Sequence, residues 1–236
     1  MKRFYREVAV AEADGGYVVT LDGRAIKTQG RGVPQAVPTR ALAHLLADEW
    51  ARQSETIVLS DFPHRALADY AIDQIAPEPE AAVGRIMRFA ETDTLCYRAD
   101  PDEPLFRRQM EVWEPVLTVF EQRTGTIFTR ISGIVHRAQP PECLQRLADL
   151  LLQENAATLA GIETMTSLAA SLVIALEAAE PNSDPEVLWD ATALEEEWQA
   201  ELWGREWTAE ERRARRKAEF LGAREFTLAA RADSSG

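Results

Sequence analysis

The sequence is poor in cysteine, and its few thiols are not arranged for metal or redox chemistry. Cys96 and Cys143 are the only cysteines among 236 residues, and neither belongs to a CxxC pair. Isolated thiols of this kind are typical of reduced, partly buried cysteines in a cytoplasmic protein. We therefore expect a cytoplasmic location, no metal site and no cofactor.

Basic residues are few relative to acidic ones, and long hydrophobic runs are missing. The 26 Lys and Arg residues against 39 Asp and Glu residues give a formal net charge of −13. Nucleic-acid phosphates and anionic lipids repel such a chain, so a nucleic-acid partner is not expected. The longest apolar run, Leu168–Leu176, is interrupted by Ser171 and is too short to cross a bilayer. No apolar run follows the charged N-terminus, so we predict neither membrane insertion nor a secretory signal.

Familiar catalytic and nucleotide-binding motifs are also absent. His44, His64 and His136 are isolated and show neither HxxxH nor HExxH spacing. Gly30-Arg31-Gly32 lacks the lysine and the following helix of a phosphate loop. These residues are interpreted as ordinary structural ones, and the motifs that define common enzyme classes do not point to an enzyme.

The first third of the chain contains clear turn and helix-start patterns. Asp22-Gly23 separates the apolar-rich runs 17–21 and 24–28, and this dipeptide accepts the positive φ angles of a tight hairpin. Thr39 precedes a run of apolar residues at helical spacing and is predicted to be its N-cap. We therefore predict antiparallel strands followed by helices.

Helical spacing of apolar residues dominates the rest of the sequence. The predicted fold class is α+β, with two domains. Residues 1–80 form a small mixed domain with a curled antiparallel sheet and helices. Residues 81–236 form an all-helical domain, whose tail from about residue 229 is predicted to be disordered.

One stretch near the predicted boundary carries mixed chemistry. Asp93, Tyr97 and Arg98 place a carboxylate, a phenol and a guanidinium close together in sequence. One interpretation is an acid–base set in an interdomain cleft, which would make the protein a small-molecule enzyme. No histidine or second carboxylate accompanies the three at a recognisable spacing. The favoured interpretation is therefore an Asp–Arg pair at the domain junction.

The most informative pattern predicts one continuous helix over residues 184–204. At helical spacing, five of its residues share one face: Trp189, Thr192, Glu196, Gln199 and Trp203. Burying the Glu196 carboxylate unpaired would cost several kcal/mol. Either Glu196 is paired internally, for example with an arginine of a neighbouring helix, or the face is an exposed groove whose residues bind a partner protein.

A basic run lies further along, within the last predicted helix. It consists of Arg212, Arg213, Arg215, Arg216 and Lys217. One interpretation is a solvated helix face that neighbouring glutamates balance. The other is a local patch that binds an acidic partner.

A set of short sequence pieces recurs in the order of a known protein family. These pieces are Arg3-Phe4-Tyr5, Leu21-Asp22-Gly23-Arg24, Lys27-Thr28, Val37-Pro38-Thr39, Glu49-Trp50 with Gln53, Ala71-Ile72-Asp73, Thr92 to Arg98, Gln109 with Trp113-Glu114-Pro115, and Glu196, Gln199, Trp203 and Gly204. They cover residues 3 to about 204, and their joint order makes the resemblance specific. In these pieces the chain resembles the alpha-subunit-specific assembly chaperones of the F(1)-ATPase, as a bacterial member.

The resemblance implies a small mixed α/β domain followed by a helical one, and a function without catalysis. It implies binding of the unassembled ATP synthase alpha subunit, whose exposed beta-facing surface a chaperone would cover until assembly. It also implies a functional glutamate in the late helix. Glu196 is the matching position, and the run Glu195-Glu196-Glu197 leaves the register open by one. We expect a monomer that binds its partner through Glu196, Trp189, Gln199 and Trp203.

Overall fold

The computed structural model describes residues 1–133, 137–204 and 207–232, without the side chains of 207–209. His136 and the last four residues of the predicted tail lie outside these ranges. The strands are β1 (Val8–Ala13), β2 (Gly16–Leu21), β3 (Arg24–Ala25), β4 (Tyr97–Arg98) and β5 (Ile131–Ser132). The helices are α1 (Arg40–Ala51), α2 (Pro63–Tyr70), α3 (Pro79–Glu91), α4 (Pro104–Thr124), α5 (Pro141–Leu151), α6 (Ala156–Ala169), α7 (Leu172–Ala178), α8 (Pro185–Thr192), α9 (Leu194–Trp203) and α10 (Trp207–Arg231).

The chain divides into two compact units that are not contiguous in sequence. The first unit contains Met1–Ala82, Glu154–Gly161 and the segment that begins at Gly222, and the second contains Val83–Gln153 and Ile162–Leu221. The two-domain prediction with a boundary at residue 80 assigns both later segments of the first unit to the helical domain. No local sequence pattern indicates that these two later segments pack with the first 82 residues.

The first unit is built on an antiparallel sheet in the order β1-β2-β3, which confirms the α+β class. Asp22 and Gly23 have φ angles of 48° and 78° at the turn between β2 and β3, so the predicted hairpin is confirmed. The Asp22 carboxylate accepts hydrogen bonds from the N–H groups of Arg6 and Glu7. The turn residue thereby also fixes the chain just before β1.

Helix α1 packs on this sheet through an apolar stripe. Thr39 is its N-cap and accepts the Leu42 N–H, as predicted. Leu46 and Trp50 are buried along the same helix. The Tyr5 hydroxyl donates to the Trp50 carbonyl oxygen at 2.6 Å, and the two rings meet edge to face. The N-terminal segment is therefore held by a directed bond as well as by burial.

A buried carboxylate joins α1 to α2. Glu49 has no solvent exposure and accepts hydrogen bonds from the N–H groups of His64 and Arg65. Those two groups lie in the first turn of α2, where backbone donors lack partners within the helix. The pairing satisfies both the buried acid and the helix start.

The second unit is mainly helical and has a core of large side chains. Trp113, Leu117 and Phe120 of α4 are fully buried, and every residue of α7 is buried. Its prediction as all-helical is wrong in one detail, because β4 and β5 form a short parallel pair. The apolar residues between positions 159 and 176 belong to two helices, α6 and α7, since Ala170 has a φ of 50° and Ser171 caps α7.

The C-terminal prediction needs correction as well. Helix α10 continues to Arg231, and Ala230 is buried. Residues 229–231 therefore belong to a packed helix and not to a disordered tail.

In the described ranges no helix is both long and apolar enough to cross a membrane. In the same ranges no group of three or more His, Cys, Asp or Glu side chains is placed to hold a metal ion.

Within the first unit, α6 and α10 approach so closely that only glycine fits at position 161. A Cβ on Gly161 would lie 2.0 Å from Thr227 Oγ1 and 3.0 Å from the Ala223 carbonyl oxygen. We predict that Gly161→Ala lowers the free energy of unfolding by about 1–3 kcal/mol, because one helix must shift to relieve the overlap. Urea unfolding followed by circular dichroism measures this change.

Gly84 provides the matched control for this substitution. It lies in α3, and an added Cβ would meet no atom within 4 Å. Gly84→Ala should raise the free energy of unfolding by roughly 0.5–1 kcal/mol, because alanine restricts the unfolded chain and favours helix. Equal effects of the two substitutions would contradict the close approach at Gly161.

Candidate functional site

The second unit contains an open cavity of about 1060 Å³. It is bordered by the chain around β4, the end of α6, the helices α8 and α9, and the first part of α10. Its lining includes Tyr97, Arg98, Glu195, Glu196, Gln199, Trp203 and Arg212. Residues predicted for partner binding, for the domain junction and for the basic run therefore meet at one site.

The helix predicted over residues 184–204 is interrupted at this cavity. Helix α8 ends at Thr192, and Ala193 has φ −96° and ψ 8° before α9 begins at Leu194. The Thr192 hydroxyl donates to the Trp189 carbonyl oxygen at 2.6 Å, so this hydroxyl is satisfied within its own helix. Despite this interruption, all five residues of the predicted face line the one cavity: Trp189, Thr192, Glu196, Gln199 and Trp203.

Trp189 is a core residue and not an exposed anchor. It is 2% exposed, and its ring lies 5.3 Å from the Phe220 ring. The guanidinium of Arg216 lies 6.0 Å from the centre of the same indole. The prediction that Trp189 offers its indole to a partner is therefore wrong, since α10 already covers this side chain.

The α9 half of the predicted face is exposed. Glu196, Gln199 and Trp203 follow one another at helical spacing along the cavity, and the Trp203 side chain is 83% exposed. Among the described residues, Glu196 takes part in no hydrogen bond or ion pair. The interpretation that an internal arginine neutralises Glu196 is therefore wrong. The other interpretation, an exposed face on which Glu196 can bind a partner, agrees with the structure.

The two neighbouring glutamates are already bound, which separates them from Glu196. Glu197 pairs with Arg213. Glu195 accepts a hydrogen bond of 2.7 Å from the side-chain amide of Gln109, a fully buried residue of α4. The Gln109 amide oxygen accepts the Ala99 N–H at 2.8 Å. The sequence analysis did not assign a structural role to Gln109. The signal that could have indicated one is its position, an uncharged polar residue on the apolar side of α4.

Asp93 does not pair with Arg98. It is fully buried and accepts hydrogen bonds from the Leu95 N–H, the Ser171 hydroxyl and the Val173 N–H. These contacts place its carboxylate at the start of α7, so the predicted Asp–Arg pair is wrong. Asp93 is also absent from the cavity lining, whereas Tyr97 is part of it. The three groups proposed as an acid–base set therefore do not converge on the cavity.

Arg98 is buried and is bound by other groups. It forms an ion pair with Glu114 at 3.1 Å and donates to the carbonyl oxygens of Leu95 and Gln109. Its guanidinium also lies 5.5 Å from the centre of the Trp113 ring. All of these partners belong to the second unit, so the position of Arg98 supports the cavity wall.

Three of the five residues of the basic run on α10 are bound to other helices. Arg213 contacts Asp190 at 3.2 Å, and Lys217 contacts Glu186 at 2.9 Å. Arg216 donates to the Leu168 carbonyl oxygen at 2.5 Å. Arg213 and Lys217 are therefore balanced by acids of α8, a pairing that could not be predicted from the sequence.

The burial of Asp93 should make the stability of the protein depend on pH. Burial raises the pKa of this carboxyl to about 6, although the N–H and hydroxyl donors favour its charged form. The folded chain therefore holds the proton more tightly than the unfolded chain. Stability from this group is present below about pH 4 and is lost as the pH rises to about 6.

We predict that Asp93→Asn removes this dependence. The difference in free energy of unfolding between the wild type and the variant should fall by roughly 3 kcal/mol between pH 4 and pH 7, because only the wild type ionises there. Urea titrations at several pH values measure it. Ser171→Ala removes one donor to the carboxylate and should move the transition to higher pH. Parallel profiles for the wild type and Asp93→Asn would contradict the assignment.

Comparison with known proteins identifies the family of this chain. Residues 2–121 match the family described as ATP12 chaperone protein. The mitochondrial protein atp12 of Schizosaccharomyces pombe is 28% identical over 214 residues, which cover 86% of this chain and 74% of that protein.

Solved structures agree with this match. Atp12 from Paracoccus denitrificans superposes with a TM-score of 0.92 at 30% identity and covers 98% of both chains, and a mutant of that protein gives the same values. A proposed chaperone from Agrobacterium tumefaciens has a TM-score of 0.89 at 38% identity and covers 96% of this chain and 85% of its own. The chain therefore belongs to the ATP12 chaperone family of ATP synthase assembly chaperones, and is a bacterial member.

Proposed function

We propose that the chain binds the unassembled alpha subunit of the ATP synthase F(1) sector and protects its beta-facing surface until assembly. The observation that carries the proposal is the exposed face of α9, where the Trp203 indole and the Glu196 carboxylate, which has no partner in the described part of the chain, border an open cavity. The family supplies the assembly role, and this face offers a surface on which that role can be performed.

The exposure of Trp203 favours a protein partner. An indole buries a large apolar area when it is covered, so leaving it 83% exposed forgoes a few kcal/mol of stabilisation. Tryptophan is also one of the residue types enriched among the energetically dominant contacts of protein interfaces. A free alpha subunit exposes the apolar surface that it later buries, and that surface can cover the indole.

Glu196 makes such a contact selective for partners that can bind a carboxylate. Its carboxylate is solvated in the free chain, so its charge costs little there. Next to a buried indole, the same carboxylate would require a cation or N–H donors from the partner. A surface without such groups would leave the acid unpaired, and Glu196 thereby discriminates between partners.

The proposal involves no chemical step and describes a monomer acting in the bacterial cytoplasm. Cys96 and Cys143 are free and buried, which is typical of proteins in that compartment. The alternative, a small-molecule enzyme, requires Asp93 to act together with Tyr97 and Arg98. Because Asp93 is engaged at the start of α7 and does not line the cavity, no observation favours that alternative.

We predict that Trp203→Ala and Glu196→Lys each lower capture of the alpha subunit by at least tenfold. Loss of the indole removes the main apolar contact, and the reversed charge faces the groups that recognise the acid. The measurement is the amount of alpha subunit that co-purifies with the tagged chain when the two are co-expressed without the beta subunit.

Glu111→Lys is the matched control. Glu111 is an exposed residue of α4 that lines neither side of α9, and the substitution makes the same change of charge. It should leave capture within about twofold of the wild type, and thermal unfolding should show that all variants fold. Undiminished capture by Trp203→Ala and Glu196→Lys would exclude the α9 face as the binding surface.

A further inference from the structure

The basic run on α10 contains two kinds of arginine. Arg213 and Arg216 are half-buried and engaged, the first with Asp190 and the second with the Leu168 carbonyl oxygen and the Trp189 ring. They hold α10 against its neighbours. Arg212 is exposed and, among the described residues, takes part in no hydrogen bond or ion pair. Arg212 is therefore not used by the fold of the described part of this unit.

Arg212 is also placed where a binding partner would meet it. Its side chain lines the cavity that Glu196 and Trp203 border. Arg215 is likewise exposed and without a partner among the described residues, but it does not line that cavity. The two arginines thus differ in position and not in chemical type, so Arg215 offers a matched comparison.

We propose that Arg212 is a second partner-binding residue and takes a carboxylate of the bound protein. The proposal rests on the proposed function and deepens it. Helix α9 contributes an available acid and α10 an available guanidinium to the same cavity. The complementary segment of the alpha subunit therefore carries both a basic and an acidic side chain beside the apolar group that covers Trp203.

The other exposed charges of the cavity favour a protein carboxylate over a phosphate chain. Asp100, Glu103 and Glu195 are exposed acids in the same lining as Glu196. The other arginines of the lining, Arg98, Arg213 and Arg216, are buried or half-buried and already bound. A polyanion such as single-stranded DNA would place several charges against these acids and would be repelled. A single carboxylate on a folded or extended polypeptide meets Arg212 with much less repulsion, because it brings only one negative charge into the cavity.

The test compares Arg212→Glu with Arg215→Glu in the co-expression experiment with the alpha subunit. Arg212→Glu should lower capture by at least tenfold, because it places like charges together in a desolvated contact. Arg212→Lys, which keeps the charge, should retain most of the capture. Arg215→Glu should stay within about twofold of the wild type. Equal capture by all variants would overturn the role of Arg212 and leave the proposed function standing.

A second measurement separates failure of this inference from failure of the proposed function. Two synthetic peptides of equal length and leucine content, identical except for Glu against Gln at their acidic positions, are titrated calorimetrically into the wild type and Arg212→Glu. If the wild type captures no alpha subunit, the proposed function fails. A preference for the Glu peptide that Arg212→Glu abolishes still supports the carboxylate site. Absence of that preference, or tighter binding of a DNA oligonucleotide than of the peptide, overturns it.

Discussion

The hydrogen bonds of the Gln109 side chain fix the position of the start of α9, the helix that carries Glu196 and Trp203. Gln109 has no solvent exposure, and both ends of its amide are bonded, to the Ala99 N–H and to the Glu195 carboxylate. A buried amide left without these partners would cost about 1–3 kcal/mol, so the pairing strongly favours one placement of the first turn of α9. Leu194 is the only residue of α9 that is buried. The rest of the helix extends from this fixed start with Glu196 and Trp203 available.

Charges in the second unit fall into those that hold helices together and those that do not. Arg98, Arg213 and Lys217 each have carboxylate partners on other elements. Removing one member of a partly buried pair leaves the other poorly solvated, so these groups act in stability. An exposed group such as Glu196 is satisfied by water and can exchange that water for a partner at small cost. The distinction between bound and available charges is therefore the physical basis for separating structural from functional residues.

Local features of the fold could be predicted from the sequence, because their causes are local. The hairpin at Asp22 and the cap at Thr39 depend on residues within a few positions. The breaks at Ala170 and Ala193 could not be predicted in this way. The first depends on Asp93, which reaches Ser171 across 78 positions in sequence. The periodicity read across Ala193 still groups Trp189 with Trp203 in one cavity lining, but it cannot show that Trp189 is buried while Trp203 is exposed.

Glu196 was predicted as a site residue because it was expected to lie between two exposed indoles, and only one of these indoles is exposed. Sequence reasoning identified Glu196 as an acid between two indoles, and the structure leaves it beside one exposed indole because Trp189 is buried. The misfit of an acid among apolar residues has two physical solutions. Asp93 represents the first, in which burial raises the pKa and several donors compensate. Glu196 represents the second, in which the acid stays in water. Only the second leaves a charge that another protein can use, so burial decides between a structural acid and a binding one.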